Sequence, residues 1–482
     1  MLQYVTILII IAYYVLVLGV AAGVVLDNRN PSKTLAYLLV LLFVPLVGLV
    51  VYIMFGQNIR KQKLFSKKGI IDNERIKLWR ERRISIFEET IEMAKEYLHE
   101  KVKVANLLLK NSDSIITMRN ELEVMNECAE IFDRMFEDIA RAKHHIHVEF
   151  YIIDDDVIGN EFKELLITKA KEGVEVRLSF DDVGSRKLPG KFLRELKDAG
   201  VEVCVFMQVF FPYLTSKANF RNHRKIVVID GEIGYLGGIN IADRYTNKQP
   251  ERKYWRDTQL RIYGEAVKSL QMEFMLNWRF VSGNLLPIVT SYFPEVNPRE
   301  NHLMQIASSG PDSDWPSIIQ GILMGINTAE DYIYITTPYF IPNDELISAL
   351  QTAAMGGVDV QILIPKDGDS VLTQAASMSY IKQMLEAGVK VHRYNKGFIH
   401  AKTVVIDDVL STIGTTNMDN RSFSLNFEIN AFMYDSGIAK DLRIQFEVDR
   451  ETSEEITIDR WSKRRRTKKV VESIARMFAP LL

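Results

Sequence analysis

The chain opens with two long apolar stretches. Residues 4–26 run for 23 positions without a charged side chain, and residues 35–55 run for another 21. Each stretch is long enough to cross a hydrocarbon core about 30 Å thick, so residues 1–56 are predicted to form a hairpin of two membrane-spanning helices. A cleaved signal peptide is the competing interpretation, but no basic segment precedes the first stretch.

Basic side chains indicate how this hairpin is oriented. Cytoplasmic flanks of membrane spans carry an excess of Lys and Arg. The cations are fewer in the loop between the stretches than after the second one: Arg29 and Lys33, against Arg60, Lys61, Lys63, Lys67 and Lys68. The sequence therefore predicts that both ends of the hairpin, and everything that follows it, lie on the cytoplasmic side.

Beyond the hairpin the pattern of apolar positions changes twice. Residues 57–115 are charged and helical in pattern, which predicts a connector. Further along, β-rich runs such as KIVVID and KTVVID alternate with helices whose apolar positions recur every three or four residues. This alternation predicts two α/β sandwich lobes, at residues 116–298 and 299–482, the second ending in a basic amphipathic segment.

The two predicted lobes carry the same motif, 177 residues apart. It has the form H-x-K-x4-D, and both copies continue with Gly at +14, Asn at +17 and Arg at +21 from the histidine. A histidine meets Lys and Asp at these offsets by chance about once in 400, so the repeat indicates an internal duplication. The motif residues are His223, Lys225 and Asp230 in the first copy and His400, Lys402 and Asp407 in the second.

Composition narrows the possible partners. A chain of 482 residues with 47% hydrophobic content is long enough for two or three cores. Its net charge of -2 disfavours a nucleic-acid partner, because phosphate contacts normally demand a strongly basic domain. The two cysteines, Cys128 and Cys204, offer neither a disulfide framework nor a metal-binding spacing, which suits a reducing, cytoplasmic setting.

The duplicated histidines suit phosphodiester exchange without a metal or another cofactor. Neutral imidazole attacks phosphorus and protonated imidazole protonates a leaving alkoxide, so His223 and His400 can divide these two roles. Lys225 and Lys402 lie two positions further along, on the same strand face, where their ammonium groups would stabilise charge on the phosphoryl oxygens. We therefore expect the two half-sites to converge on one phosphorus.

Four further polar residues are expected at this site. Asn240 and Asn417, at +17 in each copy, can donate hydrogen bonds to the phosphoryl oxygens. Asp257 and Glu428 are candidates to hold the two imidazoles in the working tautomer.

The motif aspartates are expected to act differently from the other motif residues. Asp230 and Asp407 lie seven positions past their histidines, an odd offset that points them away from the site on a regular strand. Both aspartates belong to the catalytic motifs, but we expect each to have a structural role, such as forming a salt bridge.

One strand offers a competing interpretation as a metal site. His145, His147 and Glu149 alternate along the chain and so share one strand face, with His144 beside them. No second cluster completes a ligand set, so no metal is predicted.

The two motifs resemble those of the phospholipase D superfamily, and the duplication spans roughly residues 115–482. The apolar hairpin, the EFYIIDDD strand and the RWSKRRR segment make nearly the whole chain similar to bacterial cardiolipin synthases. In that family one histidine forms a phosphatidyl-histidine, and a second phosphatidylglycerol supplies the attacking hydroxyl, giving cardiolipin and glycerol. The resemblance implies a bacterial membrane enzyme acting on phosphatidylglycerol and anionic lipids, with His223 as nucleophile and Glu149 near the site.

One small departure from the family pattern follows each motif. The family's Gly-Ser turn is Gly237-Gly238 in the first copy and Gly414-Thr415 in the second, while both motifs are intact. Two other function classes stay open: a phospholipase D-type hydrolase or membrane-tethered nuclease that transfers to water, and a non-enzymatic lipid-binding scaffold. The scaffold predicts erosion of at least one motif.

Overall fold

The computed structural model describes most of the chain. The described residues are 2–27, 31–44, 48, 90–92, 95, 98–209, 219–248 and 253–482. They divide into two compact units, the smaller formed by residues 1–72 and 209–220 and the larger by residues 73–208 and 221–482.

The smaller unit begins with two apolar helices, α1 (Leu2–Asp27) and α2 (Pro31–Phe43). Val24 and Leu41 are buried in one apolar cluster, against which Val20 and Leu38 pack, so the two helices contact each other. Within α1, the segment Gln3–Leu26 is long and apolar enough to cross a membrane.

The second predicted span is covered only in part. The helix α2 accounts for its first half, while residues 45–47 and 49–55 lie outside the described residues. The predicted connector is likewise outside them as far as residue 89.

The larger unit alternates strands with helices. Its described strands are β1 (Ile116–Thr117), β2 (Asn120–Met125), β3 (His145–Phe150), β4 (Glu175–Asp181), β5 (Glu202–Phe206), β6 (Ile226–Ile229), β7 (Ile233–Gly237), β8 (Trp255–Arg256), β9 (Gln259–Gly264), β10 (Met304–Ser309), β11 (Tyr332–Thr336), β12 (Phe340–Ile341), β13 (Asp359–Pro365), β14 (Lys390–Tyr394), β15 (Phe398–Ile399), β16 (Thr403–Ile406), β17 (Leu410–Gly414), β18 (Met418–Asp419), β19 (Glu428–Met433) and β20 (Ser453–Ile456). Its described α-helices are α3 (Val102–Ser112), α4 (Cys128–Ala140), α5 (Val157–Lys171), α6 (Gly190–Asp198), α7 (Val267–Ser282), α8 (Ser317–Asn327), α9 (Asp344–Met355), α10 (Val371–Glu386), α11 (Asn420–Ser424), α12 (Ser436–Glu451), α13 (Ile458–Ser462) and α14 (Arg466–Arg476).

The first lobe is built on a sheet with the strand order β2-β9-β7-β6-β3-β4-β5. The motif strand β6 is apolar throughout because both of its faces are covered. Val227 and Ile229 enter the core formed with α4, α5 and α6, whereas Ile226 and Val228 enter a second core that includes residues of α7.

The second lobe repeats this arrangement on a larger sheet, ordered β1-β10-β19-β17-β16-β11-β13-β14-β20. In the first lobe β3 runs parallel to β4 and antiparallel to the motif strand β6; in the second, β11 runs parallel to β13 and antiparallel to the motif strand β16. The duplicated α/β fold predicted from the motifs is confirmed.

The boundary before the first lobe differs from the predicted one. The connector was expected to reach residue 115 and the first lobe to begin at residue 116, yet β1 pairs with β10 and α3 packs in the core of the second lobe. Apolar side chains on one face of α3, among them Val104 and Leu108, bury against that core. Residues 102–117 therefore extend the second lobe, and the first sheet begins at Asn120.

A shared core joins the two lobes. Side chains of β6, β7 and β9 pack with those of β10, β16, β17 and β19 in one continuous apolar cluster. Ile226 of the first motif strand and Val405 of the second are both fully or almost fully buried in it. The two motif strands are thus held in one fixed arrangement.

The motif aspartates cap the far ends of these strands. Asp230 and Asp407 directly follow β6 and β16, at φ values of 54° and 55°, where Asp is tolerated better than most residues. Asp230 accepts the backbone N–H groups of residues 143–145, and Asp407 accepts those of residues 330–332. Asp407 also forms an ion pair, because the buried Lys101 Nζ lies 2.8 Å from its Oδ2. No ion pair is described for Asp230.

Replacing Asp407 by Asn should destabilise the protein by about 3 kcal/mol, because it leaves the buried Lys101 ammonium without its charge partner. Asp230→Asn is the matched control: it alters the same backbone contacts without breaking an ion pair described for that residue, and should cost about 1 kcal/mol. Chemical denaturation of the detergent-solubilised full chain measures both. Equal losses would contradict the role given to the ion pair.

Candidate active site

A short pairing between the lobes positions the second motif histidine. The strands β8 and β15 run parallel, with Trp255 opposite Phe398 and Arg256 opposite Ile399. The next residues are Asp257 and His400, so the backbone register itself brings them together. The His400 N–H donates to the Arg256 carbonyl oxygen at 2.7 Å, and His400 Nδ1 lies 2.7 Å from Asp257 Oδ2.

A second pairing does the same for the first motif histidine. A parallel bridge joins Asn222 to Phe427, and the residues that follow them are His223 and Glu428. The His223 N–H donates to the Phe427 carbonyl oxygen at 2.9 Å, and His223 Nδ1 lies 2.9 Å from Glu428 Oε2. Each imidazole is therefore held by a carboxylate of the opposite lobe.

These contacts decide the tautomer of both rings. Glu428 and Asp257 are fully buried, and although burial opposes their ionisation, the neighbouring imidazoles and lysines hold the pKa of each carboxyl below its usual value. An ionised carboxylate only accepts hydrogen bonds, so we assign the hydrogen to Nδ1 of His223 and of His400; at His400 the shorter contact to Asp257 Oδ2, 2.7 Å, outweighs that of Lys402 Nζ, 2.9 Å from the same Nδ1. Nε2 of each ring is left with its lone pair for chemistry.

The motif lysines complete a cluster of four basic groups. Lys225 Nζ donates to the His223 carbonyl oxygen at 2.7 Å, and Lys402 Nζ donates to the His400 carbonyl oxygen. Both lysines are buried. Lys402 contributes to lowering the pKa of His223, and Lys225 contributes to lowering the pKa of His400, so the two half-sites lie within electrostatic reach of each other.

Burial sets the protonation states of this cluster. Together with the neighbouring lysines, it lowers the pKa of His223 to about 4 and that of His400 to about 3. It also lowers the pKa of Lys225 to about 7 and that of Lys402 to about 8. In the empty site both imidazoles are therefore neutral near pH 7, and a phosphodiester anion among the four basic groups would favour their charged forms and raise all four pKa values.

The two half-sites differ at the turn that follows each motif. In the second lobe the Thr415 hydroxyl donates to Glu428 Oε2, the oxygen that also contacts His223. In the first lobe a Cβ at Gly238 would lie 2.1 Å from Asp257 Oδ1, so a side chain has no room there. The hydroxyl that a Ser would supply at position 238 is therefore absent, and the Asp257 carboxylate lies close to the Gly238 backbone instead.

The two predicted asparagines, Asn240 and Asn417, differ in how their amides are bonded. Asn240 donates to the Tyr245 hydroxyl and accepts the Ile152 N–H, so its amide is engaged within the protein. Asn417 is buried, and its amide oxygen has no hydrogen-bond partner among the described residues. Because amide oxygen and nitrogen are assigned from their partners, this amide can present either atom to a ligand.

Glu149 supports the residue before the first motif histidine. Its carboxylate is fully buried and accepts a hydrogen bond of 2.7 Å from Asn222 Nδ2. Asn222 in turn forms the bridge to Phe427. Glu149 therefore positions the backbone that carries His223.

The histidine-rich strand forms hydrogen bonds to protein groups instead of a metal set. His145 Nε2 and His147 Nδ1 both lie within 3.2 Å of Gln271 Oε1, and the His147 ring stacks on Phe274 with centroids 4.5 Å apart. No group of three potential metal ligands occurs among the described residues. Burial lowers the pKa of both rings, so they are neutral members of the core.

Aromatic side chains around the imidazoles were not predicted from the sequence. Tyr151 lies 5.0 Å from the His223 ring, and Trp255 and Tyr245 lie 5.1 and 6.0 Å from the His400 ring, measured between centroids. They help to exclude water, which explains much of the pKa lowering. Their positions follow no motif spacing, so only the tertiary structure reveals them.

Models of known protein families match the N-terminal apolar segment and both lobes. The family model described as cardiolipin synthase, PLD-like domain, matches residues 135–278 and 322–450, and the model described as phospholipase D-nuclease N-terminal matches residues 7–57. The chain belongs to the PLD-like cardiolipin synthase family. This confirms the resemblance drawn from the two motifs.

Relatives in this family are similar over nearly the whole chain. Cardiolipin synthase 2 of Bacillus anthracis is 42% identical over 95% of this chain and 88% of its own length. The major cardiolipin synthase of Bacillus subtilis is 40% identical over 95% of both chains. Among solved structures, phosphatidylserine synthase of Haemophilus influenzae shares the fold, with a TM-score of 0.58 and 16% identity over 78% of this chain and 97% of its own.

The lowered histidine pKa values predict that the protein loses stability in acid. Unfolded histidine binds a proton below about 6.5 and buried His223 only below about 4, so this residue should cost about 2 kcal/mol of stability between pH 7.5 and 5. His223→Gln should remove that part of the pH dependence, measured by thermal unfolding in detergent.

The control for this measurement is His302→Gln. Its partners Asp435 and Glu300 raise the pKa of His302, so this histidine adds stability as the pH falls from that raised pKa to about 6.5, and the added stability is fully present below about 6.5. Its removal should make the acid loss steeper. If His223→Gln and wild type lose stability equally between pH 7.5 and 5, then His223 is not buried in its neutral form.

Proposed function

We propose that this chain is a cardiolipin synthase. It transfers the phosphatidyl group of one phosphatidylglycerol to a hydroxyl of a second, and it releases glycerol. The observation that carries this proposal is the pair of imidazoles, each held through Nδ1 by a buried carboxylate of the opposite lobe, with both lysines beside them. The proposal is supported by the relatives in Bacillus anthracis and Bacillus subtilis, which are named as cardiolipin synthases.

The first step breaks the donor lipid. His223 Nε2 attacks phosphorus, and the bond from phosphorus to the glycerol oxygen breaks as the nitrogen–phosphorus bond forms. Protonated His400 gives its proton to the departing alkoxide, which leaves as glycerol. Glu428 stabilises the positive charge that develops on the His223 ring, because its carboxylate accepts the Nδ1 hydrogen.

The second step forms the product. His400, now neutral, removes the proton from a hydroxyl of the second phosphatidylglycerol, and that oxygen attacks the phosphorus held on His223. The nitrogen–phosphorus bond breaks, cardiolipin leaves, and His223 returns to its neutral form. Lys225 and Lys402 stabilise the charge on the non-bridging oxygens in both transition states.

The anionic substrate supplies the protonation state that the first step needs. In the empty site burial keeps His400 neutral at physiological pH, because its pKa is lowered to about 3. A phosphodiester anion bound beside the ring favours the imidazolium and raises this pKa. The general acid is therefore charged when the donor lipid is bound, and the site favours a substrate that brings one negative charge.

The assignment of the nucleophile rests on family resemblance and on one asymmetry. Besides its histidine, Glu428 is fixed by two side-chain donors, the Thr415 hydroxyl and Asn426 Nδ2, whereas Asp257 accepts one backbone N–H, that of Thr258, among the described contacts. A ring that carries a covalent phosphatidyl group between two steps benefits from such a fixed partner. We therefore assign the intermediate to His223 and the acid–base role to His400.

The setting is a bacterial cell membrane. We propose that residues 1–56 cross it twice and that both lobes lie on the cytoplasmic side with access to phosphatidylglycerol and other anionic lipids. Support comes from the candidate span Gln3–Leu26, from the N-terminal family match and from the basic residues after residue 56. A lipid surface supplies acceptor hydroxyls at high local concentration, which favours transfer to lipid over transfer to water.

Labelled phosphatidylglycerol distinguishes the possible activities. Purified full chain should convert it to cardiolipin and glycerol in equal amounts. Phosphatidic acid as the main product would instead identify a phospholipase D-type hydrolase, cleavage of a nucleic acid would identify a nuclease, and no product would identify a scaffold.

The intermediate can be trapped with a matched pair of variants. His400→Asn should slow turnover by a factor of about 1000 or more, because the first step loses its acid and the second step loses its base, and the adduct that does form on His223 should persist as labelled lipid on the protein. His223→Asn should be inactive and should bind no label covalently. Label retained by His223→Asn and absent from His400→Asn would reverse the two roles.

The lysine pKa values predict an alkaline limb near neutrality. In the free enzyme Lys225 and Lys402 lose their charge as the pH rises through about 7 to 8, so kcat/KM for phosphatidylglycerol should fall over that range. The limb for kcat should lie higher, because the bound phosphodiester favours both ammonium groups. A kcat/KM that stays constant up to pH 10 would contradict this assignment.

A further inference from the structure

The last helix of the chain turns its apolar side chains outward. The buried side chains of α14 and the residues after it are small or polar, namely Glu472, Ala475 and Ala479, and the one larger apolar side chain described as packing on the core is the partly buried Leu482. Five larger apolar side chains are 46–78% exposed, and they are Val470, Val471, Ile474, Met477 and Phe478. Their spacing of three and four places them on one side of the helix, which we call the outer stripe.

This polarity is the reverse of that of an ordinary surface helix. Such a helix buries its apolar side against the core, and single exposed apolar residues elsewhere on a protein need no explanation. Here the helix is held by other contacts: Arg464 pairs with Glu472, and the Arg476 guanidinium lies 4.3 Å from the centre of the Tyr380 ring. The outer stripe is therefore not required for packing the helix onto its lobe.

Basic side chains surround the outer stripe. The acidic Glu472 is already paired with Arg464 and is directed inward. The exposed cations on and around α14 are Lys463, Arg465, Arg466, Lys468, Lys469 and Arg476. An apolar stripe flanked by Lys and Arg is complementary to a bilayer with anionic headgroups, where the apolar side chains enter the boundary of the acyl region.

The same segment is tied to the second catalytic motif. The Ala479 carbonyl oxygen accepts a hydrogen bond of 3.3 Å from Asn420 Nδ2, and the Leu482 carbonyl oxygen accepts the Arg421 N–H at 3.1 Å. Asn420 and Arg421 begin α11, the helix that directly follows the second motif. The Asn417 N–H in turn donates to the hydroxyl of Ser422 in α11. Hydrogen bonds therefore connect the segment after α14, through α11, to Asn417.

We propose that the outer stripe and its flanking cations form a docking surface for an anionic bilayer, which presents the active site to lipid headgroups. That the site then acts on those lipids rests on the proposed function; the docking surface itself does not.

A second copy of this chain is the less favoured occupant. A two-fold contact through the outer stripe would bring the same basic flank of both copies together, and like charges across an interface oppose association. Anionic lipid meets the same flank with opposite charge. The charge distribution around the stripe therefore favours the bilayer.

Lipid contact can be measured on the full chain without turnover. In a Cys204→Ser background, an environment-sensitive fluorophore is placed at Ile474→Cys and, as a control, at Ile444→Cys. Ile444 is 52% exposed on α12 and Ile474 is 53% exposed, so the two sites start alike. With the protein reconstituted in phosphatidylglycerol vesicles, acyl-chain-brominated lipid should quench the label at position 474 at least about twofold more than the label at position 444.

The control outcomes are equally defined. Brominated phosphatidylcholine vesicles should quench position 474 less, and added salt should weaken quenching further, because the flanking cations then contribute less. Equal quenching at both positions would overturn the proposal. A change at position 474 that depends on protein concentration and not on brominated lipid would identify a second copy as the occupant, and would overturn it too.

A double substitution that introduces negative charge into the outer stripe tests whether docking supports activity. Val471→Glu with Ile474→Glu should lower the ratio of turnover on vesicles to turnover on dispersed short-chain phosphatidylglycerol by about tenfold or more, the effect of losing one buried aliphatic contact. Ile444→Glu with Val448→Glu is the matched control, since these are also half-exposed aliphatic residues of one helix. An unchanged ratio overturns the proposal. Inactive wild type on both lipids would fault the proposed function alone, because quenching remains measurable.

Discussion

The exchange of carboxylates between the lobes is the constraint on which the rest of this site depends. His223 is anchored by Glu428 and His400 by Asp257, and in each pair the two residues directly follow a backbone bridge between lobes. The shared apolar core keeps those bridges in register. A shift of one residue at either bridge would separate imidazole from carboxylate, so the packing of buried strands fixes the chemistry.

Burial suppresses the positive charge of this site until an anion binds. Two lysines and two histidines are buried together, and burial lowers the pKa of each of them. The carboxylates of Glu428 and Asp257 offset part of the positive charge, but each already accepts a hydrogen bond from an imidazole Nδ1. A phosphodiester is the complementary missing charge, so the site favours its ligand through the phosphate group.

The sequence predicts the chemistry better than it predicts the boundaries. Identical motif spacing singled out the two histidines and lysines, and the odd offset of Asp230 and Asp407 predicted side chains that point away from the site. In the structure both aspartates directly follow the ends of their strands and accept backbone N–H groups there, a position that an argument from a regular strand does not give. The sequence could not reveal that β1 joins the second sheet, since two residues carry no pairing signal. Nor could it reveal Tyr151 or Tyr245 beside the imidazoles, or the engagement of Asn240 by Tyr245, because these contacts depend on tertiary packing.

The unequal turns after the two motifs make the duplicated halves non-interchangeable. Asp257 reaches His400 because Gly238 leaves it space, whereas the longer Glu428 reaches His223 and is shared with the Thr415 hydroxyl. Gly238, Asp257 and His400 thus form one functional set, and Thr415, Glu428 and His223 another, and each set draws on both lobes. Replacing either repeat by a copy of the other would break both sets at once.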